Sequence, residues 1–469
     1  MEDDFDYGSA EDAKFSVARY EEMLRNQDQY FFDALAFEGI IDYYIEKNDP
    51  VKALQVVGFA VNQHPFASVF LLKEAQLHAM TGQFSEALQA LDKAEMLEPS
   101  EGEIAMVKGG VLGSMGEYEQ ALFYLNKALS TAEHVDEVYL QIAMLHQHQG
   151  RFDDAINNLK LSLEHNMENQ DALYELAYCY DELGRQDESV AFYKQYIDND
   201  PYSYAAWYNL GNAYHKMNQF SEAIDAYDYA ILIKENFASS YFNKGNALVN
   251  LEQYAEAIEV YKQTFEYEPP GAETYCAIGE CYEKLEQMDQ AREFYKKAVK
   301  IDVTLSDGWF GIGVTLDFEG RHFESLHFYK KALELEPNNP DYWFAIADAR
   351  YKLKQFDQAL EAYRKVVDLN PTDVEAWLDF SSVLYERDVL DESIAVISEG
   401  IKHNPDASEL YYRMVAYLIA AGKYNDALSY LEIGLTLNPG KYPILFEYLP
   451  QLQGNRAILE VINRYRKEG

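Results

Sequence analysis

Stepping through the chain 34 residues at a time from Ala34, the twentieth residue of every step is alanine or serine. They are Ala53, Ala87, Ala121, Ala155, Ser189, Ala223, Ala257, Ala291, Ser325, Ala359, Ser393 and Ala427. A small side chain recurring at one place marks where two helices cross so closely that a larger one would part them. Position 8 of the same step is its counterpart, being glycine or alanine at Ala75, Gly109, Ala143, Ala177, Gly211, Gly245, Gly279, Gly313 and Ala347. It drifts to Ile41, Ser381 and Val415 towards the two ends. Twelve steps follow one another without insertion, starting at Ala34, Ser68, Gly102, Asp136, Gln170, Tyr204, Ala238, Ala272, Ser306, Pro340, Val374 and Ser408.

Each step reads as two amphipathic helical patterns joined by a short polar turn. In Tyr204–Phe237 the anchors are Trp207, Leu210, Gly211, Tyr214, Ala223, Tyr227 and Ala230. All four tryptophans, Trp207, Trp309, Trp343 and Trp377, fall at position 4. Proline stands at position 32 in Pro65, Pro99, Pro201, Pro269, Pro337, Pro371, Pro405 and Pro439, where it stops the second helix and forces a turn. Glu133, Met167, Glu235 and Val303 take its place in the other four.

Together these anchors resemble the tetratricopeptide repeat, and the resemblance covers Ala34 to Lys441. It implies an all-α fold, a right-handed solenoid superhelix of antiparallel helix pairs. First helices would line a concave groove and second helices the outside, with twelve repeats completing more than one superhelical turn. Outside the array, residues 1–12 are acidic and expected to be disordered. Residues 13–33 read as a capping half-repeat, because Phe15-Ser-Val-Ala18 is similar to the second-helix signature Phe84-Ser-Glu-Ala87. Residues 442–469 read as capping helices, the first interrupted by Pro443 and Pro450 and the last running from Asn455 to Lys467, as the exposed end of a solenoid requires. Lys108-Gly109-Gly110 predicts a loosened first helix in the third repeat, and Glu268-Pro269-Pro270-Gly271 a stiff junction near mid-chain.

Charge narrows the partners. The formal net charge of −41 repels phosphate backbones and anionic headgroups, so no nucleic acid and no membrane surface is expected. A basic or apolar protein or peptide segment is. Cys179, Cys276 and Cys281 form no C-x-x-C, the N-terminus has no secretory pattern, and no apolar run reaches the roughly 20 residues of a membrane span, which together predict a cytoplasmic chain.

The resemblance places positions 2, 5, 6, 9, 12 and 13 of the first helices on the concave wall. Position 5 supplies Tyr174, Tyr208, Phe242, Phe310 and Phe344, an aromatic ladder of a kind common in such repeats. Position 2 supplies acids, among them Asp171, Glu273 and Asp307, with Glu175 at position 6 beside the first. Acids in a first turn also complement the helix macrodipole, at about 0.3–1 kcal/mol each, so they stand equally as structural residues. Asn209, Asn212, Asn243 and Asn246 make an amide patch able to hold a peptide backbone through paired donors and acceptors. The clamp with which some relatives grip acidic chaperone tails is not expected, because its basic places hold Tyr208, Glu273 and Ala277.

No nucleotide, zinc or calcium motif is present, and no segment is left over for a catalytic domain. The expected function is a non-catalytic adaptor that binds a partner's peptide segment in the groove, with no cofactor, no metal and no catalytic residue. Two alternatives stand beside it. One is a self-assembling rod, a homo-oligomer joined through its acidic N-terminus and basic C-terminal helix, and the other a chaperone-like holder of apolar segments.

Overall fold

Each step folds as the helix pair its pattern predicts. The computed structural model describes residues 7–465, with side-chain surroundings from residue 14 onward. The chain divides into two bodies, Met1–Glu235 and Asn236–Gly469. In the first, α1 (Tyr7–Asn26) precedes the pairs α2 (Ala34–Glu46) with α3 (Pro50–Gln63), α4 (Ser68–Met80) with α5 (Phe84–Leu97), and α6 (Gly102–Ser114) with α7 (Tyr118–Ala128). The pairs α8 (Val135–His148) with α9 (Phe152–His165), α10 (Gln170–Glu182) with α11 (Gln186–Asn199), and α12 (Tyr204–Lys216) with α13 (Phe220–Ile233) follow. The second body holds α14 (Ala238–Asn250) with α15 (Tyr254–Gln263), α16 (Ala272–Lys284) with α17 (Met288–Ile301), and α18 (Ser306–Phe318) with α19 (His322–Leu335). It continues with α20 (Pro340–Lys352) and α21 (Phe356–Leu369), α22 (Val374–Glu386) and α23 (Leu390–His403), and α24 (Ser408–Ala420) and α25 (Tyr424–Leu437). The terminal helices α26 (Pro443–Tyr448) and α27 (Arg456–Tyr465) close it, and the described residues contain no strand.

The small residues do what their spacing requires. At position 20, Ala53, Ala87, Ala121, Ala155, Ala223 and Ala257 are wholly buried. At position 8, a Cβ on Gly211 would stand 2.5 Å from a ring carbon of Tyr227, and one on Gly279 2.8 Å from Tyr295, so the second-helix tyrosine at position 24 lies flat on the glycine. Position 4 joins one repeat to the next. The indole Nε1 groups of Trp207, Trp309, Trp343 and Trp377 donate to the carbonyls of Pro201, Val303, Pro337 and Pro371 at 2.8–3.0 Å. Those carbonyls lie just beyond a helix end, where the backbone has no partner of its own.

A third periodic residue emerges from the backbone. Position 15 closes every first helix with a positive φ, between 56° and 81°, at Asn48, Gly82, Gly116, Gly150, Gly184, Asn218, Glu252, Glu286, Gly320, Lys354, Asp388 and Gly422. Left-handed backbone costs an L-residue about 1–2 kcal/mol, part of which glycine returns through its freedom in the unfolded chain. Lys354→Gly is therefore expected to raise stability by about 0.5–1 kcal/mol, read as a higher urea midpoint. An unchanged or lower midpoint would contradict the assignment.

At the N-terminal end, α1 begins at Tyr7, inside the stretch expected to be disordered, in keeping with the helix-forming Ala10, Glu11 and Ala13. It buries Val17, Tyr20 and Met23 against Phe32, Phe37 and Ile40, while Ala18 is exposed, unlike any position-20 residue. The third repeat is a continuous helix rather than a loosened one. A Cβ on Gly109 would meet Leu125 at 2.6 Å and one on Gly113 would meet Leu145 at 2.5 Å, so these glycines serve close packing. Before Pro269-Pro270, α15 stops at Gln263 and tightens into a 3-10 turn over Thr264–Glu266. At the far end, Leu445, Leu449, Ile458, Val461 and Ile462 extend the core of the last repeat, and the Arg413 guanidinium lies 3.8 Å from the Tyr448 ring centroid. The acids among residues 2–6 of the chain, and Arg466 and Lys467, lie outside the described residues.

Candidate functional site

Within each body, most neighbouring first helices touch directly: α4 with α6, α6 with α8, α8 with α10 and α10 with α12 in the first, α16 with α18, α18 with α20 and α22 with α24 in the second. Second helices make no comparable contact with one another and pack chiefly on first helices. The layer whose members approach more closely is the inner one, so first helices form the inner wall of each body.

On the wall of the first body, Tyr174 of α10 and Tyr208 of α12 meet edge-on at 6.2 Å, and Tyr208 lies 6.0 Å from Tyr227. Burial, with Tyr204 and Tyr208 adjoining, pushes the Tyr174 hydroxyl well above the ordinary phenol range. Asp171 is exposed, and Glu175 accepts from Gln147 Nε2 at 2.8 Å. Of the amides, Asn212 Oδ1 accepts from Tyr227 Oη at 2.8 Å. Asn209 is only 2 % exposed, and its Nδ2 has no hydrogen-bond partner among the described residues. It is therefore an interior amide rather than a wall residue.

On the second body's wall, Phe242 packs 5.5 Å from Tyr261, whose hydroxyl donates to Asn246 Oδ1 at 2.6 Å, while Asn243 is half-buried. Tyrosine thus fixes the amide plane in Asn246 as it does in Asn212, and position 8 is glycine in both repeats. Glu273 is exposed. Asp307 Oδ1 accepts from Tyr342 Oη at 2.8 Å, and Phe310 lies between Tyr342, stacked at 4.7 Å, and Tyr329 at 5.4 Å. Phe344 meets Tyr363 edge-on at 5.8 Å. The sequence-derived residues therefore form two separate stretches, one on each body.

Several carboxylates of the second body's wall escaped the sequence reading. Partial desolvation, with Asp307 and Glu283 as like-charged neighbours, pushes Glu280 above the usual carboxylate range, even though its side chain reaches solvent. Desolvation raises Glu283 too, against the hydrogen bond it accepts from Tyr295 Oη at 2.8 Å. Asp379 is pushed up to about 6, first by desolvation and then by Glu375, with the Arg413 charge only partly opposing. The available signal was acid at positions 6, 9 and 12 in neighbouring repeats, masked by the 80 acidic residues spread through the chain. Among the described residues no group of three or more histidine, cysteine or acidic side chains is disposed to hold a metal ion, and no helix is long and apolar enough to cross a membrane.

Sequence profiles of the tetratricopeptide repeat match residues 103–134, 140–204, 204–237, 229–302, 306–339 and 340–373. None of the curated proteins matches the chain. Among solved structures it is similar to YrrB, described as a TPR protein with an unusual peptide-binding site, at 23% identity over 39% of this chain and 95% of that one, TM-score 0.33. It is also similar to the APC/C hetero-tetramer Cut9-Hcn1, at 14% identity over 87% and 93% and TM-score 0.44, and to MamA, at 19% over 34% and 94% and TM-score 0.32.

Proposed function

The chain belongs to the tetratricopeptide repeat family, and on that footing we propose that it is a non-catalytic adaptor holding a basic or apolar segment of a protein partner on its inner walls. The observation that carries this is that Glu280, Glu283 and Asp379 are all raised, each first by desolvation, with Asp307 and Glu283 adding to it at Glu280 and Glu375 at Asp379. A carboxylate raised by desolvation and like charges is relieved when a cation arrives, so a partner's lysine or arginine gains more here than on an open surface. Phe310 and Phe344 offer apolar contact between these charges. On the other body, Asp171, Glu175, Tyr174, Tyr208 and Asn212 present the same mixture of acid, ring and amide.

Binding is testable by fluorescence anisotropy, using a labelled peptide of about twelve residues that alternates lysine and leucine, beside its glutamate analogue. The lysine peptide should bind and the glutamate one should not. Glu280→Gln with Asp307→Asn and Asp379→Asn should weaken binding roughly tenfold, about 1.4 kcal/mol, with helicity unchanged. Affinity should also fall as pH drops from 7.5 towards 5, because protonating the raised carboxylates removes the attraction. Equal affinity of wild type and triple variant would overturn the assignment.

A further inference from the structure

On the first body, away from the inner-wall residues, α11, α12 and α13 line an open slot of about 380 Å³. Trp207 and Tyr214 supply its aromatic walls, and Asp198, Glu222 and Asp225 line it as exposed carboxylates with no ion-pair partner among the described residues. The indole is immobilised, with Nε1 donating to the Pro201 carbonyl at 3.0 Å and its ring stacked on Tyr229 at 4.3 Å. The one cation lining the slot is Lys194, an exposed side chain whose ammonium stands 5.4 Å from the Tyr214 ring. Asp198 and Asp225 are not demanded by the helix pair, since Lys300 and His327 hold the corresponding places around Trp309, three repeats on, whereas Glu222 recurs there as Glu324.

We propose that this slot receives an arginine side chain from a basic segment of a protein partner. A guanidinium is planar, so it can lie against a fixed indole while its N–H fork reaches carboxylates at the rim. Lys194 holds the same kind of place in the free protein and, being exposed on a flexible stem, swings out when the arginine enters. The proposal is independent of the inner-wall assignment, since it uses none of those residues.

Labelling the full chain with 5-fluorotryptophan gives one fluorine resonance for each of its four tryptophans, so Trp309, Trp343 and Trp377 serve as internal controls. The probe is N-acetyl-arginine amide, with N-acetyl-citrulline amide as its uncharged counterpart. The expected result is a saturable shift of the Trp207 resonance alone, with arginine and not with citrulline. Asp198→Asn with Glu222→Gln and Asp225→Asn should weaken it at least tenfold, and Lys194→Ala should strengthen it severalfold. The inner-wall triple variant should leave it unchanged. Equal response of all four resonances, an equal shift with citrulline, or no shift at all would overturn the proposal. The arginine–citrulline comparison on the wild type decides the matter even if the triple variant folds poorly.

Discussion

Lys108→Ala is expected to destabilise the first body by about 2–4 kcal/mol, whereas Lys108→Met costs less than about 1.5 kcal/mol. Lys108 occupies position 7 of the third repeat, where Ile142, Leu176 and Leu210 stand in the next three, and it is 8 % exposed. Its ammonium lies 2.7 Å from Asp92 Oδ1 and 2.9 Å from Glu95 Oε2, both on α5, and 4.5 Å from the centroid of the Tyr124 ring. Burial works against its charge, yet the hydrogen bonds to Asp92 and Glu95 prevail and hold its pKa above the ordinary lysine value. Alanine removes both the charge and the stem, opening a cavity between α5 and α6. Methionine keeps the stem, and the acids it abandons have other recourse, because Asp92 is largely exposed and Glu95 retains Lys127 at 2.6 Å.

The pH dependence follows from the two shifts. A lysine whose folded pKa is raised contributes its stability below the ordinary value of 10.5 and loses it only as pH rises through the folded value. Glu95, lowered chiefly by its hydrogen bond from Lys127 and then by Lys108, contributes above the ordinary value of 4.5 and loses it as pH falls. The gap between wild type and Lys108→Ala should therefore be flat near neutrality and narrow in acid. Hydrogen exchange across α5 and α6 is the suitable readout, since repeat arrays unfold locally. Equal protection in wild type and alanine variant would show that the pair contributes nothing.

How much of this was legible in the sequence depends on how far each interaction reaches. The alanines and serines of position 20 fixed the helix pair because a close crossing tolerates few residues, and the start of nearly every first helix followed from the same register. Position 15 was half legible, with glycine or asparagine at eight of its twelve places, but Glu252, Glu286, Lys354 and Asp388 carry the same backbone without advertising it. The aromatic and acidic wall could be listed residue by residue. Its coupling could not, because the carboxylates are raised first by desolvation, and then by neighbours such as Asp307 on Glu280, which no 34-residue period encodes. Asn209 shows the limit most plainly: its spacing is that of Asn243, yet it is 2 % exposed and Asn243 is half-buried.

Gly311→Ala tests that coupling directly, and its expected sign is the reverse of what helix propensity gives. In an exposed helix interior the change would stabilise by about 0.5–1 kcal/mol. Here Gly311 of α18 and Gly279 of α16 both face Tyr295 of α17, and a Cβ on Gly311 would stand 2.5 Å from two of its ring carbons. The ring has nowhere to retreat, being 2 % exposed and tied through its hydroxyl to Glu283 at 2.8 Å. A net loss of about 2–3 kcal/mol is expected, read by calorimetry or urea unfolding. Gly311→Ala combined with Tyr295→Leu should recover part of it, since the clash leaves with the ring. Tyr295→Phe isolates the remaining term by keeping the packing and removing the donor from a partly desolvated carboxylate, at a cost of about 1–2 kcal/mol. Glu283 without that donor is raised further, so the same variant should also shift the acid limb of basic-peptide binding to higher pH. If Gly311→Ala proves stabilising, the tyrosine is free to move, and the glycines of positions 6 and 8 cannot be what sets the carboxylate wall in place.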